Sequence, residues 1–136
     1  MGEVVPAFVM QKSVLVVDDH ADTAEILSRM LERRGYRAAA ATSGKEALAR
    51  MAGEVPSVVV LDVMMPEMNG AELLREMREN PQLSDVPVMV FSADFSFDRM
   101  REMMDLGAND YVVKGTAGWD QVLRRIGECA RASGPH

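Results

Sequence analysis

The chain alternates between short, unbroken apolar runs and longer stretches in which apolar residues recur every three or four positions. The short runs, 13–18, 58–61, 86–91 and 110–113, have strand length and are rich in valine. Strands apolar at successive positions are buried on both faces, as in a parallel sheet covered by helices. A weaker run, 36–41, includes four consecutive alanines with helical propensity. It is too short for a stable helix and sits between two helical patterns, so it is predicted as an edge strand.

The periodic stretches read as amphipathic helices. In 21–34, Ala24, Leu27, Met30 and Leu31 share a face, with Asp22 and Glu25 early, Arg33 and Arg34 late, and Gly35 as the stop. Ser43 can cap a helix to about residue 52, with Glu46 as its capping-box partner and Ala47, Leu48 and Met51 inward. Leu73, Leu74 and Met77 mark a third helix that ends at Asn80 and Pro81. Met100, Met103 and Met104 mark one face of a fourth, closed by Gly107, and Val122, Leu123, Ile126 and Ala130 mark the last. Strand and helix alternate five times, which predicts an α/β fold: a doubly wound, three-layer (βα)5 sandwich with a parallel five-stranded sheet.

Composition narrows the function classes. A chain of 136 residues fits one domain, assigned to 12–131, with 1–11 and 132–136 expected to be flexible. A net charge of −6 argues against direct nucleic-acid binding. No apolar run approaches membrane-span length, and the first residues lack a basic, cleavable leader. The single cysteine, Cys129, excludes an internal disulfide and a cysteine metal cage, and reads as a small buried hydrophobe in a cytoplasmic protein.

The strand ends carry the chemistry. The first strand runs into Asp18 and Asp19, the third into Asp62, the fourth into Ser92 and the fifth into Lys114, whereas the edge strand offers only Thr42. In open α/β sheets ligands collect beyond the carboxyl ends of the strands. Three carboxylates gathered there repel one another and call for a proton or a cation. Oxygen donors suit Mg2+, which keeps several waters and binds phosphate oxygens. A lysine and a hydroxyl can hold the other side of a phosphoryl group, and a carboxylate can be the nucleophile, forming an aspartyl phosphate.

The order and local sequence of these groups resemble the receiver domain of bacterial two-component response regulators, over almost the whole chain. Val17-Asp18-Asp19 resembles the acidic pair, Leu61-Asp62-Val63-Met64-Met65-Pro66 through Gly70 the phosphoacceptor segment, Phe91-Ser92-Ala93 the switch hydroxyl, and Gly107 through Lys114 the last strand. The resemblance implies a flavodoxin-like fold with strand order 2-1-3-4-5. It implies phosphorylation of Asp62 by a histidine kinase or phosphotransfer protein, and a Mg2+ ion held by Asp19, Asp62, the Met64 backbone carbonyl and, through water, Asp18. Lys114 then pairs with the phosphate, Ser92 and Tyr111 act as switch residues, and catalysis is confined to the domain's own phosphotransfer and dephosphorylation. The methionine-bearing helix, near Met100, Met103, Met104 and Tyr111, is the expected face for a downstream protein partner.

One departure from the family pattern is Gly115, where a proline after a cis bond is usual. Before glycine a cis bond costs about 2.5–4 kcal/mol, so either a trans bond with a reshaped loop or a cis bond held by its surroundings is expected. Gly115 also keeps open an alternative, a degenerate receiver acting as a phosphorylation-independent interaction module. His20, beside the acidic pair, reads as a variable position rather than a ligand. A haloacid-dehalogenase-type hydrolase wants a second Asp where Met64 stands, and a dinucleotide site wants a glycine-rich turn where Asp18-Asp19-His20 stands.

Overall fold

Tertiary burial turns the alternating pattern into ten elements in the computed structural model, which describes residues 11–132. In chain order they are β1 (Ser13–Val17), α1 (Ala21–Arg33), β2 (Arg37–Ala41), α2 (Gly44–Gly53), β3 (Val58–Leu61), α3 (Gly70–Glu79), β4 (Val88–Ser92), α4 (Phe97–Asp105), β5 (Asp110–Val113) and α5 (Trp119–Arg131). The strands form one parallel sheet in the order β2-β1-β3-β4-β5. The expectations for 1–10 and 133–136 lie outside the described residues.

Side chains alternate across each strand, so every valine-rich run feeds two cores. Leu15, Val17, Val59, Leu61, Val88 and Val90 face α2, α3 and α4. Val14, Val16, Val58, Val60, Met89, Phe91 and Val112 face α1 and α5. Burial on both faces is why these strands read as continuous rather than alternating.

Strand starts shift for local reasons. The fourth run begins its ladder at Val88 rather than residue 86 because Pro87 has no N–H, although its carbonyl accepts from the Val59 amide at 2.9 Å. Tyr36 is tied back to α1 through its amide on the Leu31 carbonyl, and β2 starts one residue later. The Ser43 hydroxyl caps the Glu46 amide as predicted, but the Glu46 carboxylate accepts from the Thr42 amide at 2.7 Å, one residue before the expected partner. Asn69 and Ser96 cap α3 and α4 in the same way.

The methionine face of α4 is corrected. Met103 is wholly buried in the core, Met100 is half-buried and Met104 is exposed. A short helix lying on a sheet buries a narrow stripe, so adjacent residues such as Met103 and Met104 diverge by about 100°. Met103 therefore belongs to the packing and not to a docking face.

Arg78, in the last turn of α3, carries a load its position in the sequence does not announce. Its guanidinium donates to the carbonyls of Gly107 at 2.8 Å, Val86 at 2.9 Å, Ser84 at 3.2 Å and Leu83 at 3.4 Å. It thereby ties the α3–β4 connection to the turn that leads into β5. Asn109 completes the junction by accepting the Val88 amide at 2.8 Å.

Two outcomes follow from these contacts. Arg78→Lys keeps the charge but loses the planar fork, and is expected to lower unfolding free energy by about 2 kcal/mol in urea titration; a loss below the titration error contradicts the clamp. A Cβ at Gly70 would lie 2.7 Å from the Asp62 carbonyl oxygen and 2.8 Å from the Val63 Cα, both backbone atoms that cannot swing away. Gly70→Ala is expected to cost about 1–3 kcal/mol by the same assay.

Candidate functional site

Ladder hydrogen bonds deliver the site residues. The Asp18 amide donates to the Ala41 carbonyl at 3.0 Å, the Asp62 amide to the Val17 carbonyl at 2.9 Å, and the Lys114 amide to the Ser92 carbonyl at 2.8 Å. Each is the residue just past its strand, still held by the neighbouring strand. The order 2-1-3-4-5 puts β1 and β3 side by side where the chain reverses its direction of winding, so Asp18 and Asp62 stand together at that crevice.

Lys114 reaches across this edge from β5. Its Nζ donates to Asp18 Oδ2 at 2.7 Å and approaches Asp62 Oδ2 at 3.5 Å, and it lies 5.5 Å from the Phe91 ring centroid. That ring in turn meets Trp119 edge-on, with centroids 6.0 Å apart. Asp62 is only 3% exposed and Asp18 is also buried. The Met64 amide donates to Asp62 Oδ1 at 3.2 Å. Burial pushes the Asp62 carboxyl above the ordinary carboxylate range. Lys114, the Met64 amide and the Ser92 hydroxyl pull it down, and Asp18 pushes it up.

Asp18, Asp19, His20 and Asp62 each bring a ligand atom within 4.8 Å of the others. Asp19 Oδ1 is buried and accepts no hydrogen bond. The His20 Nδ1 lies 3.3 Å from it but also 3.2 Å from Asp18 Oδ1, and one ring proton cannot serve both acceptors well. A buried carboxylate oxygen without a donor, among other carboxylates, is the donor set a hard divalent cation fits.

Ser92 is fully buried, and its Oγ accepts from the Asp94 amide at 3.2 Å. The Tyr111 hydroxyl donates to the Asp94 carbonyl at 2.5 Å. The Asp94 carboxylate accepts from the Ser96 amide at 2.9 Å and from Arg99 Nε at 3.3 Å, contacts that hold it below the ordinary range. Asp94 thus joins the end of β4, the ring of Tyr111 and the start of α4. Burial and the nearby Asp94 push the Tyr111 hydroxyl up.

The Lys114–Gly115 bond is trans, with no cis bond among the described residues, and Gly115 takes a left-handed φ of 86°. With that trans bond Lys114 still reaches Asp18 and Asp62, so Gly115 no longer favours the alternative of a degenerate receiver. Cys129 is buried, and that burial pushes its thiol up to about 11, which leaves it unreactive at neutral pH. Among the described residues no helix is long and apolar enough to cross a membrane.

All the predicted site residues on β1, β3, β4 and β5 come to one edge. The sequence reading missed three features. His20 turns its ring to the acids, Asp94 organises the loop, and Phe95 and Phe97 stand 78% and 76% exposed beside it. Only the run Asp94-Phe95-Ser96-Phe97 could have signalled the last, since two aromatics around a helix cap have no core to enter.

The sequence matches the family described as Response regulator receiver domain over residues 14–125. The alkaline phosphatase synthesis transcriptional regulatory protein PhoP of Bacillus subtilis is 37% identical over 105 residues, covering 77% of this chain and 43% of that protein. Response regulator MprA of Mycolicibacterium vanbaalenii is 37% identical over 126 residues, covering 93% and 53%. The chain spans about half the length of these relatives. Among solved structures, chemotaxis protein CheY4 of Vibrio cholerae superposes with a TM-score of 0.83 at 28% identity, covering 88% of this chain and 99% of that one. The fold, the gathered edge residues and these similarities agree: the chain belongs to the receiver domain family of two-component response regulators.

Proposed function

We propose that Asp62 accepts a phosphoryl group from a histidine kinase or phosphotransfer protein, in a Mg2+-dependent transfer, and that the phosphorylated receiver changes its choice of protein partner. The receiver unit is taken as 12–131, working in the cytoplasm, where a buried free thiol such as Cys129 stays reduced. The observation that carries the reading is Lys114 bridging Asp18 and Asp62 at 2.7 and 3.5 Å, beside an Asp19 oxygen with no hydrogen-bond donor.

In this reading an Asp62 carboxylate oxygen attacks phosphorus, the bond from phosphorus to the donor's leaving group breaks, and that group departs with the bonding pair. Lys114 shifts from the carboxylates to a phosphoryl oxygen. Asp19, Asp62 and the Met64 carbonyl would hold the Mg2+, with Asp18 acting through water. When bound, the ion neutralises the charge that develops on the phosphoryl oxygens. If the Ser92 hydroxyl turns to donate to a phosphoryl oxygen, it exchanges the bond it accepts from the Asp94 amide for that donated one. Because Asp94 also holds Tyr111 and Arg99, that exchange is felt at the start of α4. The downstream face is proposed around Met100, Met104 and Tyr111 together with Phe97, and without Met103. The domain catalyses only its own phosphorylation and dephosphorylation.

Incubation with acetyl phosphate and Mg2+ is expected to add one phosphoryl mass, seen by intact-mass spectrometry, and Asp62→Asn or chelation of the ion should abolish it. Labelling that survives Asp62→Asn would sink the assignment. Lys114→Ala should slow the same reaction by about 100-fold, and an unchanged rate would remove the lysine from the mechanism.

The Asp62 folded pKa lies above its unfolded value, so the folded state holds this proton more tightly. The resulting stabilisation is complete below the ordinary carboxylate pKa and is lost as pH rises through the raised value. Metal-free Asp62→Asn is therefore expected to be more stable than the parent at neutral pH, by about 1 kcal/mol. Its stability should also depend less on pH between the two pKa values. A lower urea midpoint for the variant at neutral pH contradicts this.

A further inference from the structure

His20 occupies the N-cap position of α1, where Ser, Thr, Asp or Asn would satisfy a free helix amide. Its side chain makes no capping hydrogen bond. The ring instead lies over the acidic pair, with Nδ1 3.2 Å from Asp18 Oδ1 and 3.3 Å from Asp19 Oδ1, while the side chain stays 69% exposed. The backbone holds it there, because the His20 amide donates to the same Asp18 Oδ1 at 2.9 Å. Helix α1 forgoes a cap, and the pocket gains a nitrogen whose position is set by the carboxylate beside it.

A single imidazole proton can sit on either ring nitrogen. With the proton on Nε2, the Nδ1 lone pair faces the Asp18 and Asp19 carboxylates, and one ligand atom from each of Asp18, Asp19, His20 and Asp62 lies within 4.8 Å of the others. Oxygen donors suit Mg2+ as well as transition metals, whereas an added imidazole raises affinity for Mn2+, Co2+, Ni2+ and Zn2+ far more than for Mg2+.

We infer that His20 is a metal-specificity residue of this pocket, adding a nitrogen ligand that tilts it from Mg2+ toward borderline transition metals. The inference rests on the pocket binding a divalent cation, as proposed above. It makes this receiver more responsive to trace transition metals than the same pocket without the imidazole, since a more tightly held ion competes with Mg2+ for the same carboxylates.

The test is calorimetric titration of the metal-free protein with Mg2+ and, separately, Ni2+. It compares the parent with His20→Asn, which restores a good cap, and with His20→Ala. The visible spectrum of the Co2+ complex gives a second readout that does not depend on affinity. Both variants are expected to bind Ni2+ about 10- to 100-fold more weakly while Mg2+ affinity stays within about twofold, and the Co2+ bands should shift on loss of nitrogen. Equal losses for both metals, or no loss for either, would overturn the role of His20 while leaving the Mg2+ reading intact. Failure of the parent to bind any of the three ions would overturn both.

Discussion

The structure turns on a surplus of negative charge at one sheet edge. Asp18, Asp19 and Asp62 each bring a carboxylate oxygen within 4.8 Å of the others, against one ammonium among the described residues, that of Lys114. At such separations each like-charged pair costs about 4 kcal/mol with an effective dielectric near 20. That is a large share of the 5–15 kcal/mol by which a domain is stable. Nothing in the packing asks for this expense, since the two cores close without these side chains. The rest of the molecule holds the acids against their repulsion. The ladder bonds at Asp18, Asp62 and Lys114 fix groups that would otherwise move apart.

The same constraint explains what was legible in the sequence. A buried parallel sheet demands apolar strands, and their ends are where polar residues first become tolerable. An acid at the end of a valine run, as at Asp18 and Asp62, is therefore visible without a structure. Right-handed crossovers narrow the sheet to a few doubly wound orders, and the resemblance to receiver domains implied the one, 2-1-3-4-5, that sets those two acids side by side. Features that depend on where one side chain points were not legible. Met100, Met103 and Met104 share helical spacing, yet only tertiary contact decides that Met103 enters the core and Met104 stays outside. Arg78 looks like any surface arginine at the end of a helix, because its acceptors are carbonyls from 5 to 29 residues away. Backbone carbonyls leave no mark in a sequence.

Gly115 shows how a motif can depart from its pattern and keep its geometry. A proline there would set the loop, but in this chain three other contacts set Lys114. Its amide is held by the Ser92 carbonyl, and its ammonium both by Asp18 and over the face of the Phe91 ring, itself braced by Trp119. The trans bond and left-handed glycine then only have to carry the chain on to α5. The position after the lysine is accordingly a poor guide to whether the lysine is in place, and the strand before it is a better one.

The charge surplus also bears on how the proposed phosphorylation of Asp62 would reach the surface. Ser92 is held by a neutral hydrogen bond from the Asp94 amide, of a kind that contributes about 1 kcal/mol net. A phosphoryl oxygen offers the hydroxyl a charge-assisted bond roughly twice as strong. The exchange is favourable only if the Asp94 amide, once released, finds a new partner or reaches water. The Asp94 carbonyl and carboxylate are already committed to Tyr111, Ser96 and Arg99, so its peptide cannot turn alone. Release at Ser92 has to be shared with Tyr111 and the first turn of α4, and that turn carries the exposed Phe97. The gain at one hydroxyl is small, so the two loop arrangements must lie within a few kcal/mol of each other for it to decide between them.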